Sequence, residues 1–245
     1  MRILAPIRKA PAMDMMEAIE QRHSVRSFKD DPIGEDVLEK LDKEIARCNA
    51  EGGLEMILVT EETGAFDSAL AHYGKFSNVR NYVILAGENV PELEERCGYY
   101  GERIVLLAQQ LGLNTCWVAL TFKKRLVKKS LKKHEKLVAV IAIGYGSDDG
   151  KPHRSKKNSE VIFVPAGEEA PTWFMRGVEA ALLAPTAVNQ QKFMLELTEL
   201  KADDGRRIVR LLSKGGSYSD VDMGIVRLHF EIGAGTQNFE WATKL

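Results

Sequence analysis

Apolar and polar positions along this chain follow helical and strand rhythms, and the order of those rhythms recurs. Met15–Gln21 reads as a short helix leading into "RHSVRSF". Asp31-Pro32 and Gly34 mark a turn, after which Val37, Leu38, Leu41 and Ile45 return at helical spacing with charges between them. "NAEGG" closes that helix, "LEMILVT" alternates as a strand does, and "NYVILAG" at 81–87 predicts a second strand. Residues 101–111, "GERIVLLAQQL", are apolar on nearly every face, which predicts a helix buried on several sides. Gly112 ends it, and "NTCWVAL" continues as an extended segment. A helix over 123–135 and a near-continuous apolar strand, "LVAVIAIGYG", complete the front part. The polar, turn-rich "SDDGKPHRSKKNS" is the expected boundary.

Beyond that boundary the tail runs helix, loop, strand, helix. "MRGVEAALLAPTAVNQQKFMLELT" matches "LEKLDKEIARCNAEGGLEMILVT" in plan, and "DMGIVRLHFEIGAGTQNFEW" matches "YYGERIVLLAQQLGLNTCW". Two ordinary helix–strand units would look alike too, but order and spacing recur together, which favours a diverged duplication with parts 14–160 and 170–245. The front part carries "RHSVR" but has a featureless "RCNAEGG" loop. The back part carries "APTAVNQQ" but has "EEAPTWFM" where a second arginine–serine pattern is expected. Each part keeps what the other lacks.

Composition narrows the classes. With 245 residues, 44% hydrophobic and 28% charged, the chain can bury a substantial core, and wholesale disorder is excluded. A net charge of -1 argues against a general nucleic-acid binder. No apolar run approaches the ~20 residues that span a bilayer, and "MRILAPIRKAPAM" lacks a signal core and reads as a loose or partner-covering arm. Cys48, Cys97 and Cys116 are scattered, so metal binding and disulfides are poorly supported and a reducing, cytoplasmic setting fits. The run 123–136 holds eight Lys/Arg against one Glu, but Leu126, Val127 and Leu131 share one helical side, so a solvated face is expected there. Neither nucleic acid nor membrane is an expected partner.

Two stretches carry candidate chemistry. In an extended "RHSVR", Arg22, Ser24 and Arg26 point to one side and offer two guanidinium forks and a hydroxyl to a phosphate. On spacing alone, a surface turn with solvated arginines explains the pattern better. "APTAVNQQ" supplies the Thr186 hydroxyl and the Asn189 and Gln191 amides beside Pro185, groups suited to a heterocycle edge or a ribityl chain. A helix stop made of proline and polar residues explains it equally well.

Taken together, the motifs resemble the nitroreductase family of FMN-dependent oxidoreductases. The matching residues are Arg22-His23-Ser24-Val25-Arg26-Ser27-Phe28, Gly112-Leu113-Asn114-Thr115-Cys116-Trp117, Gly144-Tyr145-Gly146 with Arg154 and Lys156 beyond, and the displaced Ala184–Gln191. The resemblance implies an α+β fold with a central, mostly antiparallel sheet flanked by helices. It also implies a family homodimer, here mimicked within one chain as a monomeric pseudo-dimer, although further dimerisation stays open. By matched position, Arg22, His23, Ser24 and Arg26 would hold phosphate and flavin edge, and Arg154 and Lys156 would add phosphate charge. Pro185, Thr186, Ala187, Asn189 and Gln191 would contact the flavin from the pseudo-partner side. Backbone N–H groups of Trp117, Val118 and Ala119 would face its reactive ring. The implied activity passes electrons from NAD(P)H through FMN to a small nitroaromatic, quinone or similar acceptor, with no side chain needed as nucleophile. A flavin-binding protein with little turnover is the alternative. "SKGGSYSDVD" at 213–222 is a connection that could act as a lid, and Trp117 and Trp241 are expected as core anchors. His23 for arginine, Gly146 for proline and Lys192-Phe193 for Pro-Trp are departures that put affinity and substrate choice in doubt.

Overall fold

The computed structural model describes residues 13–243 and 245, so most of the expected N-terminal arm lies outside it. The helices are α1 (Met15–Gln21), α2 (Glu35–Gly52), α3 (Ala69–Tyr73), α4 (Leu93–Gln110), α5 (Lys124–Val127), α6 (Thr172–Leu182) and α7 (Ser219–Ala234). The strands are β1 (Ile57–Val59), β2 (Asn81–Glu88), β3 (Asn114–Val118), β4 (Glu135–Gly144), β5 (Ile162–Phe163), β6 (Phe193–Lys201), β7 (Arg207–Ser213) and β8 (Phe239–Trp241).

The strands form two four-stranded sheets, ordered β1-β2-β4-β3 and β5-β6-β7-β8. The first is antiparallel throughout. The second pairs β6 with β7 antiparallel, with β5 and β8 added parallel at its edges. The α+β class and the mostly antiparallel front sheet follow the expectation, but the sheet is doubled rather than single. Strand β5 follows the front part in sequence yet joins the back sheet, with Ile162 opposite Leu195. The front sheet is covered on both faces, which is why β2 reads as an unbroken apolar run: Val83 and Leu85 enter one core cluster, Tyr82 and Ile84 the other. The first cluster continues without a break into Phe174, Phe193, Leu195, Phe230 and Phe239, so both parts share one core.

The helix expected over 123–135 shrinks to α5 and a 3-10 turn, Lys128–Ser130. Cation upon cation and the lack of an acidic residue before Glu135 leave that stretch without i,i+4 support, and only Val127 is buried. Helix α4 starts eight residues earlier than expected, at Leu93. The connection from β7 to α7 is shorter than 213–222, because Ser213 ends the strand and Ser219 begins the helix.

Helices α4 and α7 pack together at the centre. Their approach is set by glycines used reciprocally. A Cβ on Gly98 would lie 2.1 Å from the Val221 carbonyl oxygen, and one on Gly224 would lie 1.9 Å from the Glu95 carbonyl oxygen. Each glycine stands three residues after the residue touched by the other, a self-complementary contact of the kind a two-fold axis generates. Tyr99 donates to Glu231 at 2.6 Å and Arg227 pairs with Glu95 at 3.2 Å across the same seam. Gly98→Ala or Gly224→Ala drives a methyl into backbone and is expected to cost about 3 kcal/mol in urea unfolding. Gly34→Ala meets only the mobile end of Asp36 at 3.1 Å and is expected to cost far less.

Candidate functional site

The segment after α1 is extended and sits on the open edge of β3. Ser24 bridges Thr115 in parallel, and Val25 N–H donates to the Thr115 carbonyl at 3.0 Å. Val25 turns inward, 1% exposed, which leaves Arg22, Ser24 and Arg26 at alternate positions on the other side. Burial pushes the Cys116 thiol up, while Arg26, the Ser24 hydroxyl and Arg22 oppose the shift. Arg26 is exposed, with its guanidinium 6.0 Å from the Phe76 ring centroid. Arg22 is buried, its Nε has no hydrogen-bond partner, and its nearest anion is Glu102 Oε1 at 4.0 Å. The solvated-arginine account therefore fails for Arg22. Burial and the neighbouring Arg22 hold the His23 imidazole below its usual range.

Because the Thr115 carbonyl faces outward, the alternation of an antiparallel ladder turns the backbone of Trp117 to the same outer edge. No acceptor in the backbone meets the Trp117 N–H there among the described residues. Val118 is buried and Ala119 half-buried at the end of this strand. The Trp117 indole does not stack on an open face; it donates to Glu102 Oε2 at 2.8 Å.

The back part's loop is fixed by hydrogen bonds. Thr186 Oγ1 accepts from Gln191 N–H at 3.0 Å, and Asp222 accepts from Ala187 N–H at 2.9 Å and Gln190 Nε2 at 2.7 Å. Pro185 is half-buried at the loop's start. Val188, Asn189 and Gln191 all have positive φ (47°, 56° and 45°), a strained state for a β-branched valine that is also 98% exposed. Gln191 donates to the Arg154 carbonyl at 2.9 Å and to Asn189 Oδ1 at 2.7 Å, and accepts from Lys156 N–H at 2.8 Å. Asn189 Nδ2 also donates to the Arg154 carbonyl, at 2.9 Å. The Gln191 amide is thus spent within the chain; it braces the loop instead of presenting itself to a ligand.

Residues 147–156 join the two motifs. Ser147 N–H donates to the Ser27 carbonyl at 2.9 Å, and Gly150 lies close against His23 Cβ and the Ser24 carbonyl. The same stretch then reaches Leu182 through His153 at 2.8 Å, and the 189–191 loop through Arg154 and Lys156. No hydrogen bond joins 22–26 directly to 186–191 among the described residues. Their link is the 147–156 strap, which bonds beside the first at Ser27 and directly to the second. A third connection runs through the core: Glu102, His229 and Asp222 were not singled out from the sequence, yet each sits fully buried where the halves meet.

Among the described residues no cluster of three His, Cys, Asp or Glu could hold a metal, and no helix is long and apolar enough to cross a membrane. The three cysteines are free and buried.

The chain matches the family model described as "Putative TM nitroreductase" over residues 14–234, and it belongs to this nitroreductase family. Among solved structures it is similar to one from Thermotoga maritima described as a "putative nitroreductase", with TM-score 0.63 and 21% identity over 97% of this chain and 92% of that one. It is also similar to a "putative nitroreductase in complex with fmn" from Desulfovibrio desulfuricans, with TM-score 0.51 and 15% identity over 64% of this chain and 98% of that one. No curated protein matches in sequence.

The Asp222 carboxyl gives the loop a pH signature. Burial raises it to about 6, against the bonds from Gln190 and Ala187 that favour the anion. An acid raised on folding lowers stability as pH climbs from about 4 to about 6, and the full cost stands above that window. Asp222→Asn should therefore be more stable than the parent by about 2 kcal/mol at pH 8, with the difference gone near pH 4, in urea titrations.

Proposed function

We propose that this chain is an FMN-dependent oxidoreductase that takes electrons from NADH or NADPH and passes them to a nitroaromatic, quinone or similar small acceptor. The observation that carries this reading is Arg22, a buried guanidinium with an unpartnered Nε on the wall that also carries Ser24 and Arg26. A buried cation left short of partners fits an anionic ligand, because desolvation without a compensating bond is costly. Family membership and the FMN-bound relative from Desulfovibrio desulfuricans support FMN as that ligand.

FMN, when bound, supplies the two-electron chemistry between nicotinamide donor and acceptor. The chain's share is binding and orientation. Arg22, Ser24 and Arg26, with His23 beside them, hold phosphate and flavin edge, and Arg154 and Lys156 add cationic charge from the strap. The outward N–H of Trp117 would supply a preorganised donor to the ring, with Val118, whose own N–H is turned to β4, and Ala119 continuing that edge. Pro185, Thr186, Ala187 and Asn189 close the site from the back part, with Gln191 as their brace.

In this reading residues 14–160 and 170–245 are the two halves of a fused pseudo-dimer, which replaces a partner subunit and makes the monomer sufficient. The reciprocal glycine contact and the crossing of β5 into the back sheet support it. The counterpart of the Trp117 wall is β8, where a cavity of about 480 Å3 lies between Tyr99, Tyr100, Arg227 and Trp241. Polar groups there are already matched: Tyr99 and Trp241 both donate to Glu231, and Arg227 bonds Glu95 and the Thr243 carbonyl. Of these two places, the Arg22 side alone keeps an unpartnered buried charge among the described residues, so one flavin site per chain is expected.

Anaerobic mixing of the FMN-loaded protein with NADH or NADPH should bleach the flavin absorbance within seconds. Tight flavin binding without bleaching by either donor would reduce the protein to a flavin binder. Arg22→Ala should weaken FMN at least about tenfold in a fluorescence titration.

A further inference from the structure

The cation-rich run after β3 is exposed, as a solvated face is, but it is not neutralised. Lys123, Lys124, Arg125, Lys128 and Lys129 all stand in solvent, and none has an ion-pair partner among the described residues. Further along, Lys132 pairs with Glu55 and Glu135, and Lys136 with Glu94. The adjoining 61–67 turn offers little countercharge. Glu61 pairs with Arg80, and Glu62 accepts from the Gly64 and Ala65 N–H groups and the Tyr82 hydroxyl. Asp67 alone in that turn is an acid without such a partner among the described residues. In a chain of net charge -1, this run concentrates positive potential on one spot.

That spot adjoins the arginine wall through three phenylalanines. The Arg26 guanidinium lies 6.0 Å from the Phe76 ring centroid, Phe76 lies 5.3 Å from Phe66, and Phe66 lies 6.2 Å from Phe122, the residue before Lys123. Backbone contacts tie the same pieces together. Ser77 N–H donates to the Arg26 carbonyl at 3.0 Å, and Lys123 N–H to the Ala65 carbonyl at 2.8 Å. A Cβ on Gly74 would meet Thr121 Oγ1 at 2.7 Å, and Lys75, between Gly74 and Phe76, is exposed. Cations therefore continue from Arg26 past Lys75 to Lys123 and onto α5. Four residues separate Lys123 from Ala119 at the end of β3, a reach of roughly 14 Å at most.

We propose that this cationic run makes NADPH the preferred electron donor, by drawing in the phosphate that NADPH carries and NADH lacks. This rests on the flavin reading above. A phosphate monoester adds about two negative charges at neutral pH. The two donors are identical at the nicotinamide end, so a charge placed away from the ring separates them without touching the chemistry. Because the five side chains are solvated, they act by attraction over distance, which speeds encounter and fades as salt is added.

The test is stopped-flow reduction of the FMN-loaded full chain, giving the second-order rate constant for NADPH and for NADH at about 0.01 M and about 1 M salt. The parent is compared with a triple variant, Lys124→Gln, Arg125→Gln and Lys128→Gln, whose exposed positions leave Phe122 and Val127 packed. At low salt the parent should favour NADPH about tenfold, and most of that preference should vanish at high salt. In the variant the NADPH constant should fall to near that of NADH at both salt concentrations, with the NADH constant changing far less. A parent ratio at or below one, a ratio indifferent to salt, or a variant in which both donors slow alike overturns the proposal. Amide NMR of residues 123–129 on the full chain gives a readout without redox. Titration at low salt should shift these amides more with adenosine 2′,5′-bisphosphate than with AMP; equal shifts refute the proposal. If neither donor reduces the bound flavin, the flavin reading fails, and the nucleotide titration alone decides whether the run recognises the added phosphate.

Discussion

Two helix backbones held nearly in contact organise this molecule. Gly98 lies on the Val221 carbonyl and Gly224 on the Glu95 carbonyl, and neither position has room for a side chain. That closeness puts Glu102 within 2.9 Å of His229 and Tyr99 within 2.6 Å of Glu231, contacts a larger residue at the crossing would break. It also fixes the back part's loop relative to the front part's arginines, because α7 carries both His229, which reaches toward Arg22 through Glu102, and Asp222, which grips Ala187 and Gln190. The shared apolar cluster supplies the driving force for this closure, and the glycines set its distance.

The polar interior follows a pattern. Glu102, His229, Asp222 and Arg22 are all nearly excluded from solvent, and each costs desolvation that only good partners offset. Three of them have such partners, and Arg22 keeps an orphaned Nε. The 186–191 loop has positive φ at Val188, Asn189 and Gln191 and is held by bonds to Arg154 and within itself. The unmet charge at Arg22 and the strained backbone at Val188, Asn189 and Gln191 contrast with the matched polar groups around Trp241.

Much of this was legible in the residues. Alternation in "RHSVR" puts Arg22, Ser24 and Arg26 at alternate positions opposite Val25, and the buried Val25 fits that alternation. The all-round apolar 101–111 stretch announced a central helix, although its start at Leu93 was hidden by the acidic residues of its first turn. The short edge strands β5 and β8 were not legible, since two- and three-residue strands have no period and exist only through their neighbours. The run 123–135 misled because its leucines suggest a helix that its crowded cations and shallow burial do not sustain. Glu102, His229 and Asp222 did leave a signal, as single polar residues inside apolar helical stretches. What they bond to lies far along the chain, 127 residues apart for Glu102 and His229 and 32 to 35 residues for Asp222 with Gln190 and Ala187, which a local pattern does not encode.

The central claim is that the two unlike parts close over a single flavin, and its most direct measurement is the number of FMN molecules bound per chain at saturation, by absorbance of the released flavin. The account predicts one, with at least about tenfold more FMN needed to reach saturation when Arg22 is replaced. Two per chain, or binding indifferent to Arg22, would contradict it.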